Sequence, residues 1–570
     1  MVKQQLLLII IIFSTFFTSC SESKTADIII INGNIATMND KQPSAEAIAV
    51  KSGKIIAVGT NEAILKYKAE TTREIDAKGN FVAPGFIDGH AHFSSLGNSL
   101  MQLNLMGTKN WPEIVNLVAD KVNRTEKEIW ITGRGWHQEK WNEVVENATE
   151  GYPSHEGLSA VSVDNPVILS HASGHAIYAN AKAMELAGIT DETPDPEGGR
   201  IVRDKNGKAI GVFIETAEAL ITQKYEEYKS QRTEEELYKE WLQKIELAEA
   251  ECLQKGLTSF QDAGSFFQEI AWYEELAKAG ELDVRLWAMI SSEEDINDET
   301  LVGFPKIGIG NHFFTCRAIK GYADGALGSR GAWLLKSYED KPNHFGENVT
   351  PLTDLKSNAD FAAKFGLQMC IHAIGDKANR EILNMYEDIF MKHKEANAWR
   401  WRIEHAQHVN INDIPRFAKL GVIPSMQSVH CSSDAIFVPA RLGKLRAAQE
   451  AYAWRKFIEA GSIIVNGTDA PVEDVAPLKN FYAAVTRKIS GTNDSFYPEN
   501  CMTRLEALKS LTINNAYGGF EEPFKGSLVV EKFADIVILS NDLLNCAEEE
   551  ILTTEVLYTI VNGEVKYQRK

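Results

Sequence analysis

The sequence lacks the closely spaced cysteines of a disulfide scaffold or a CxxC zinc ribbon. Its seven cysteines are scattered, at positions 20, 252, 316, 370, 431, 501 and 546. It also lacks an excess of positive charge, since Lys and Arg total 59 against 79 Asp and Glu, a net charge of -20. Nucleic acid is therefore not an expected partner, because binding to phosphates depends on a basic surface. No internal repeat or low-complexity tract is present.

Long uncharged apolar runs are missing after the first twenty residues, so the rest of the chain is not expected to span a membrane. Hydrophobic residues make up 44% and charged residues 24%, which is typical of a globular protein and excludes a disordered or fibrous one. With 570 residues, the chain is too long for one compact core of ordinary size. Two or more domains are therefore predicted.

The N-terminus has the features of an export signal. Lys3 is followed by an apolar run over residues 6–17, which is short for a membrane span and suits a secretory signal. The run ends in Thr18-Ser19-Cys20, which resembles the lipobox of bacterial lipoproteins. We predict a signal peptide at residues 1–20, lipidation of Cys20 and a tether at residues 21–26. A lipid anchor would hold the protein on a membrane of the bacterial cell envelope; an uncleaved anchor, or an ordinary signal with an incidental cysteine, is the alternative.

Both ends of the chain show strand patterns. Runs of β-branched residues separated by Asn-Gly and Ser-Gly turns, as in residues 27–58, are typical of hairpins. Residues 527–563 show the same pattern. One small composite β-sandwich domain, built from residues 27–83 and 525–570, is therefore predicted.

The middle of the chain alternates apolar strand-like runs with helical stretches, the pattern of a parallel sheet. The eight candidate strands are residues 81–88, 257–262, 284–290, 316–323, 367–373, 400–405, 422–427 and 462–468. Eight such strands favour an α/β fold, a (β/α)8 barrel of the TIM type over residues 84–524, rather than an open sheet. The interval at about 93–250 is too long for one crossover. It is predicted to be an insertion after the first barrel strand, with a charged helix near 233–254.

Several predicted strands end in residues that bind metals. The first ends in His90-Ala91-His92, and positions i and i+2 of a strand face the same side, so both imidazoles can bind one ion. The fifth strand ends at His372, the sixth at His405 and the eighth at Asp469. Strand ends converge on one face of a TIM barrel, where the active site lies. Any one histidine alone fits an ordinary core or surface position, but four strand ends in register predict a metal site.

Lys320 lies in the apolar fourth strand, shortly before Asp324. Burial lowers the pKa of a lysine amine, and the neutral amine can react with carbon dioxide. The resulting carbamate is an anionic oxygen ligand that can bridge two cations. We predict a carboxylated Lys320, with an ion pair between Lys320 and Asp324 as the alternative.

Together these features resemble the amidohydrolase superfamily. The segments YADGALGSR, IHAIGDKA, IEHAQ and GTDAPV resemble its branch that contains N-substituted formamide deformylase and the YtcJ-like hydrolases. The tail KGSLVVEKFADIVIL resembles the return strand of the family's composite β-domain. The resemblance covers residues 27–567 and implies one or two divalent ions per chain, usually zinc. The matching ligand positions are His90, His92, Lys320, His372, His405 and Asp469.

The residue types also suggest a reaction. A divalent ion lowers the pKa of bound water towards ~7 and polarises a substrate carbonyl. Asp469 at the metal can then take a proton from the water and return it to the leaving nitrogen, as general base and then acid. A purely structural ligand or a helix cap is the alternative role. His405 can bind either the metal or the carbonyl oxygen, and His408 is expected outside the site.

The predicted insertion contributes further candidates. His175 falls on a Gly-His element, and the resemblance implies a position over the barrel mouth in contact with substrate; an ordinary loop histidine is the alternative. His171 and Trp136 fit the core of the insertion better than the site. Arg330 is expected to form a surface ion pair rather than to hold a substrate carboxylate.

The sequence therefore predicts a metal-dependent hydrolase of non-peptide carbon–nitrogen bonds, with a small-molecule linear amide as substrate. Hydrolysis of an ester, a lactone or a cyclic amide is an alternative, because the ligands do not dictate the scissile atom. A surface lipoprotein that binds a ligand through an inactive barrel is the non-enzymatic alternative. The presence of every ligand type argues against such a decayed site.

Overall fold

The computed structural model describes residues 25–138, 141–142, 148–172, 175–393 and 395–570. The predicted signal peptide and Cys20 with its predicted lipidation lie outside these residues. Among the described residues, no helix is both long enough and apolar enough to cross a membrane.

Eight parallel strands, paired in chain order, form the central sheet. They are Phe86–Ala91, Leu257–Ser265, Arg285–Ser291, Phe314–Tyr322, Gln368–Ala373, Arg402–His405, Ile423–Met426 and Val465–Asn466. The chain after the eighth strand returns to the first through two backbone hydrogen bonds, from Asp469 N to His90 O at 2.7 Å and from His92 N to Ala470 O at 2.8 Å. The sheet thus curves into a nearly closed barrel, and the predicted α/β barrel is confirmed.

Helices between the strands pack on the outside of the barrel. Those from the second strand onwards include Phe267–Ala279, Ile309–His312, Leu352–Phe365, Asp376–Phe390, Ile414–Leu420, Ser428–Asp434, Val438–Leu442, Lys444–Glu450, Trp454–Glu459, Pro477–Thr486, Arg504–Ser510 and Ile513–Gly518. Asp376–Phe390 shows why they form. It buries Ile382, Tyr386 and Ile389, which recur every three or four residues and therefore lie on one face.

The predicted first strand, residues 81–88, is two strands in the structure, so its prediction as one strand was wrong. Phe81–Pro84 pairs with the strand Ile536–Leu539 from the C-terminal part of the chain, whereas Phe86–Ala91 pairs in the barrel. The chain passes from one sheet to the other at Gly85, where a Cβ atom would lie 2.2 Å from the side chain of Thr258. The close approach of the second barrel strand therefore requires glycine at this crossing.

Strands from both ends of the chain share one six-stranded sheet. In spatial order it consists of Glu564–Gln568, Val556–Val561, Ile536–Leu539, Phe81–Pro84, Asn34–Ala36 and Ser44–Ala45. A four-stranded sheet consists of Lys54–Gly59, Ala47–Lys51, Ile28–Ile31 and Arg73–Asp76. Ile30 and Ile48 of the second sheet share an apolar cluster with Val82 and Ile538 of the first, so the two sheets pack face to face. The short helices of this region are Asn61–Leu65 and Glu548–Ile551.

The interval between the first and second barrel strands contains a six-stranded sheet of its own. In spatial order its strands are Gly199–Arg203, Ala209–Glu215, Ala176–Ala179, Val167–His171, Ile131–Trp136 and Leu103–Asn104. Its helices are Phe93–Met101, Trp111–Val122, Glu156–Val161, Ala181–Leu186, Ala219–Ser230 and Glu234–Gln254. The last of these is the charged helix predicted near 233–254. It begins at Thr233, whose side chain and backbone exchange hydrogen bonds with Glu236 in a capping box.

Candidate metal centre

Three of the predicted ligands meet where the first and eighth barrel strands end. His90 Nε2 and His92 Nε2 lie 3.5 and 3.2 Å from Asp469 Oδ1. With bonds of about 2.0–2.1 Å, one zinc ion spans ligand separations of roughly 3 to 4 Å. The three side chains therefore fit a single divalent cation, and we call this group the first cation position.

A buried carboxylate orients His90. The Nδ1 atom of His90 lies 2.5 Å from Glu404 Oε2, so Nδ1–H donates to the carboxylate and the Nε2 lone pair faces Asp469. Burial lowers the pKa of His90 to about 4, which keeps the imidazole neutral as a metal ligand must be. Among the described residues, Nε2 is buried without a hydrogen-bond partner. A buried nitrogen of this kind is unfavourable in a folded protein, and metal ligation would account for it.

Glu404 is fixed in turn by Arg402 of the same strand. Arg402 Nε and Nη2 donate to the two Glu404 oxygens at 2.6 and 2.9 Å, and the guanidinium also donates to Gln261 Oε1 and Ser425 Oγ. Burial alone would raise the pKa of Glu404, but the charge and hydrogen bonds of Arg402 and His90 lower it below its usual range. Neither residue was predicted from the sequence. The sequence feature that indicates them is their i, i+2 spacing in one strand, because side chains at i and i+2 point to the same face, here the inside of the barrel.

His405 and Asp469 reach the site through backbone conformations that strands do not use. Their φ angles are 72° and 59°. This left-handed region is uncommon for residues other than glycine, and it is tolerated best by Asp, Asn and His. Neighbours in a regular strand point to opposite faces, so the turn at His405 allows both Glu404 and His405 to contact the site.

A second group of possible ligands lies beside the first. His405, His430 and Asp469 offer ligand atoms within 4.8 Å of one another, and His430 Nε2 is 3.7 Å from Asp469 Oδ2. His405 Nδ1 lies 2.7 Å from Gln427 Oε1, which leaves Nε2 as its ligand atom. His430 was not among the predicted residues. It lies in the helix Ser428–Asp434 after the seventh strand, where a search of strand ends does not find it.

His372 lies at the edge of this cluster. Its ring centroid is 4.4 Å from that of His405, but its Nε2 faces Asp324 Oδ1 at 3.5 Å. The Asp324 carboxylate also accepts backbone N–H groups from Ile374 and Gly375 at 2.9 and 2.8 Å. Asp324 therefore orients the end of the fifth strand, and the role of His372 as a metal ligand stays a prediction.

Lys320 is buried inside the barrel, as predicted from its apolar strand. Its Nζ lies 4.6 Å from the ring centroid of Tyr322. Burial lowers the pKa of Lys320, although the nearby charges of Glu404 and Asp469 oppose this effect. These surroundings favour the neutral amine that carboxylation requires.

A further buried carboxylate, that of Asp88, links the first barrel strand to the segment after the eighth strand. Asp88 accepts hydrogen bonds from Thr468 Oγ1 at 2.5 Å, from Thr468 N at 3.0 Å and from His90 N at 3.2 Å. Burial raises the pKa of Asp88 to about 6, although these hydrogen bonds oppose the shift. The contact joins the eighth strand to the first and so holds Asp469 beside His90.

Two residues considered in the sequence analysis lie away from this cluster. His408 is buried against Tyr452, with the ring centroids 5.4 Å apart, and belongs to neither ligand group. Arg330 donates to both oxygens of Asp340 at 3.1 and 2.9 Å. The predicted ion pair of Arg330 is confirmed.

In the insertion, Trp136 is fully buried and its Nε1 donates to Leu169 O at 2.7 Å, so its expected place in the core is confirmed. His171 packs edge-on against Trp136 with the ring centroids 4.5 Å apart. His175 is exposed, and its Nδ1 lies 3.1 Å from Glu215 Oε2. Its contact with substrate stays a prediction.

The sequence as a whole matches a known family. The sequence profile of the amidohydrolase family, Amidohydro_3, matches residues 73–567. The chain belongs to the amidohydrolase family. Family membership makes it an enzyme, a hydrolase of carbon–nitrogen bonds other than peptide bonds.

Individual relatives match this amidohydrolase over almost all of its length. Protein LONG AFTER FAR-RED 3 of Arabidopsis thaliana is 32% identical over 95% of this chain and 92% of its own. The putative amidohydrolase YtcJ of Bacillus subtilis is 30% identical, with coverages of 94% and 98%. The N-substituted formamide deformylase of Arthrobacter pascens is 26% identical, with coverages of 95% and 98%. The predicted branch of the superfamily is confirmed.

A solved structure agrees with this assignment. The crystal structure of an uncharacterised metal-dependent hydrolase from Pyrococcus furiosus aligns with a TM-score of 0.71 and 26% identity. The alignment covers 91% of this amidohydrolase and all of that chain. The chain therefore shares its fold with a metal-dependent hydrolase.

Proposed function

We propose that this amidohydrolase hydrolyses linear N-substituted amides of small molecules. The observation that carries the proposal is the position of Asp469. One of its oxygens faces His90 and His92 at the first cation position, and the other is directed towards His430. A single carboxylate can therefore hold a cation and exchange a proton. The similarity to an N-substituted formamide deformylase supports a linear amide as substrate.

Zinc is the expected metal, at one or two ions per chain. His90, His92 and Asp469 would hold it, with His405, His372 and Lys320 as the further predicted ligands. When bound, a divalent ion lowers the pKa of water and polarises a carbonyl. The chain's own contribution is the orientation of neutral imidazoles by Glu404 and Gln427.

Asp469 acts as general base and then general acid. Burial opposes its ionisation, but the hydrogen bond from His92 helps to lower its pKa well below the usual range. The carboxylate is thus ionised at neutral pH and can accept the proton of the attacking water, then return it to the leaving nitrogen. His405 binds metal or the carbonyl oxygen, and His175 contacts the substrate from the insertion.

Lys320 is proposed to be carboxylated when two cations are bound. Its burial beside Tyr322 and its lowered pKa support this role. Lys320→Ala should lower the metal content, and short carboxylic acids should restore part of it. Elemental analysis and the mass of the intact protein, measured under mild conditions, give the readouts. An unmodified Lys320 in protein that holds two cations would exclude the carbamate.

The protein is further proposed to be a lipoprotein of the cell envelope, anchored at Cys20. The support is the signal-like sequence at residues 1–20. Labelled fatty acid should be incorporated into the expressed protein and not into Cys20→Ser. Equal labelling of both proteins would contradict the anchor.

A substrate panel tests the proposed reaction. Zinc-loaded protein without residues 1–20 should hydrolyse N-substituted formamides and related linear amides faster than esters, lactones or cyclic amides. The matched control is Asp469→Asn, which keeps an oxygen ligand. Faster turnover of esters would support the alternative hydrolase, and the absence of any turnover by fully metallated protein would support the non-catalytic binding function.

A further inference from the structure

A cleft of about 140 Å³ lies at the end of the barrel opposite the candidate metal centre. Gln368, which lines it, is the first residue of the fifth strand, whereas His372 lies near the other end of the same strand. Trp399, which precedes the sixth strand, and Arg317 of the fourth strand line the cleft as well. A water molecule takes up roughly 30 Å³ in the liquid, so the cleft has room for a small molecule only.

The guanidinium of Arg317 has no anionic partner among the described residues. None of its N–H groups donates a hydrogen bond to another described side chain or carbonyl, and its Nε is buried. Burial lowers the pKa of Arg317, although the charges of Glu521 and Glu522 oppose this effect. Both carboxylates are already paired. Glu522 accepts from Arg400 at 3.0 and 2.8 Å, and Glu521 lies 2.6 Å from Lys525 Nζ. Since an unpaired charge is unfavourable when it is partly buried, an anion bound in the cleft would stabilise this guanidinium.

An aromatic ring holds Arg317 in place. The guanidinium carbon lies 3.9 Å from the ring centroid of Phe520, which is within the range of a cation–π contact. Stacking occupies one face of the planar guanidinium and leaves its N–H donors, which lie in the plane, for a ligand. Trp399 offers an apolar surface in the same cleft for the rest of such a ligand.

The cleft also contains an acceptor without a donor. Gln368 Nε2 donates to Gly518 O at 2.9 Å and to Arg400 O, and these two contacts fix the direction of the amide. Among the described residues, the buried Oε1 of Gln368 accepts no hydrogen bond. Buried acceptors are normally satisfied, so a donor from outside the chain is expected. A cation and an acceptor that both lack partners are complementary to an anion that carries a hydroxyl or N–H group.

We propose that this cleft binds the carboxylate of a small organic acid that also carries a hydroxyl or N–H group. A carboxylate accepts two parallel N–H donors from one guanidinium, which matches the planar edge of Arg317. The nearby charges of Glu521 and Glu522 disfavour a dianion such as phosphate, because repulsion grows with the charge of the ligand. The site is separate from the metal centre and does not depend on the proposed function.

Equilibrium dialysis of labelled β-hydroxybutyrate against zinc-loaded protein tests the site. This probe has one carboxylate and one hydroxyl group. Wild type should bind one equivalent more than Arg317→Gln, because any probe held at the metal centre is counted in both proteins. The loss of hydrogen bonds to a charged group should weaken binding at the cleft by about 10- to 100-fold. Arg330→Gln, at an arginine that is already paired with Asp340, should match wild type.

A second variant narrows the cleft and leaves Arg317 in place. Ala398 lines the cleft and is exposed, so Ala398→Leu should reduce binding of the probe without disturbing the core. Butyrate lacks the hydroxyl group and should compete more weakly than unlabelled β-hydroxybutyrate. Butanol lacks the charge and should not compete.

Equal binding by wild type, Arg317→Gln and Ala398→Leu would overturn the proposal. Competition by butanol as strong as that by butyrate would overturn it too, and so would displacement of the probe by inorganic phosphate at lower concentrations than by butyrate. Because binding is counted without an amide substrate, a failure to hydrolyse amides would refute the proposed function and leave this result standing.

Discussion

The barrel mouth and the insertion place their charged groups differently. In the barrel, Arg402 and Glu404 form an ion pair with no exposed surface on either side chain. In the insertion, the ion pair of Arg200 and Glu150 leaves the side chains 45% and 50% exposed. Burial of charge is unfavourable unless every group is paired or bound to a ligand. The comparison indicates that the charged groups of the barrel mouth are assembled at a cost in stability that the exposed pair of the insertion does not carry.

The largest expected difference between the two regions is in the loss of stability when one member of each ion pair is neutralised. Glu404→Gln should lower the free energy of unfolding by about 3–5 kcal/mol, because Arg402 is left buried without its anionic partner. The matched change Glu150→Gln should lower it by less than about 1 kcal/mol, because water already solvates that pair. Denaturant unfolding of the metal-free proteins measures both. Similar losses in the two variants would contradict the contrast between the regions.

Asp469→Asn tests the chemical role of the barrel mouth. Asn keeps the shape and an oxygen ligand but cannot accept a proton, so kcat should fall by at least ~10² while most of the tightly bound zinc is retained. Because the pKa of Asp469 is lowered, wild-type activity should persist at mildly acidic pH and be lost only as the carboxylate is protonated. Steady-state kinetics and elemental analysis provide the measurements. At least a third of wild-type kcat with full metal would exclude proton transfer by Asp469.

Much of the barrel could be predicted because its signal is local. Apolar runs of strand length recur with helices between them, and seven of the eight predicted strands correspond to single barrel strands. The error at residues 81–88 arose because the chain changes sheets at Gly85, where a Cβ atom would clash with Thr258, a residue far away in the sequence. A periodic pattern cannot reveal where a chain passes from one sheet to another.

His90 and His92 could be predicted from i, i+2 alternation, but alternation could not predict that Glu404 supports the site beside His405. Glu404 and His405 are adjacent, so alternation allows only one of them to face the site. The left-handed backbone at His405 overrides that rule, and a positive φ at a non-glycine residue leaves no reliable trace in sequence. His430 was missed because it depends on how a helix packs after the seventh strand.

A change in the insertion should alter substrate preference rather than catalysis. His175→Ala removes an exposed imidazole, so metal content should stay the same while relative kcat/KM values among amides shift by several-fold. Glu215→Gln is the matched control, since it removes the negative charge beside His175 and keeps the histidine. Competition between pairs of amides measures the preference. Loss of metal in His175→Ala would mean that the residue supports the fold or the centre instead.

The smallest expected effect is on the pH dependence of stability, and it concerns His408, a buried histidine outside the site. Burial lowers the pKa of His408 to about 3, against about 6.5 in an unfolded chain. Between these values the unfolded chain binds a proton that the folded protein does not, so stability falls as pH falls from about 6.5 towards 3. His408 contributes at most ~1.4 kcal/mol per pH unit to this slope.

His408→Leu should therefore flatten the pH dependence of the unfolding free energy in metal-free protein between about pH 4 and 6. His393→Leu, at a side chain that is 40% exposed, serves as the control. Equal slopes in wild type and His408→Leu would contradict a neutral His408 in the folded barrel.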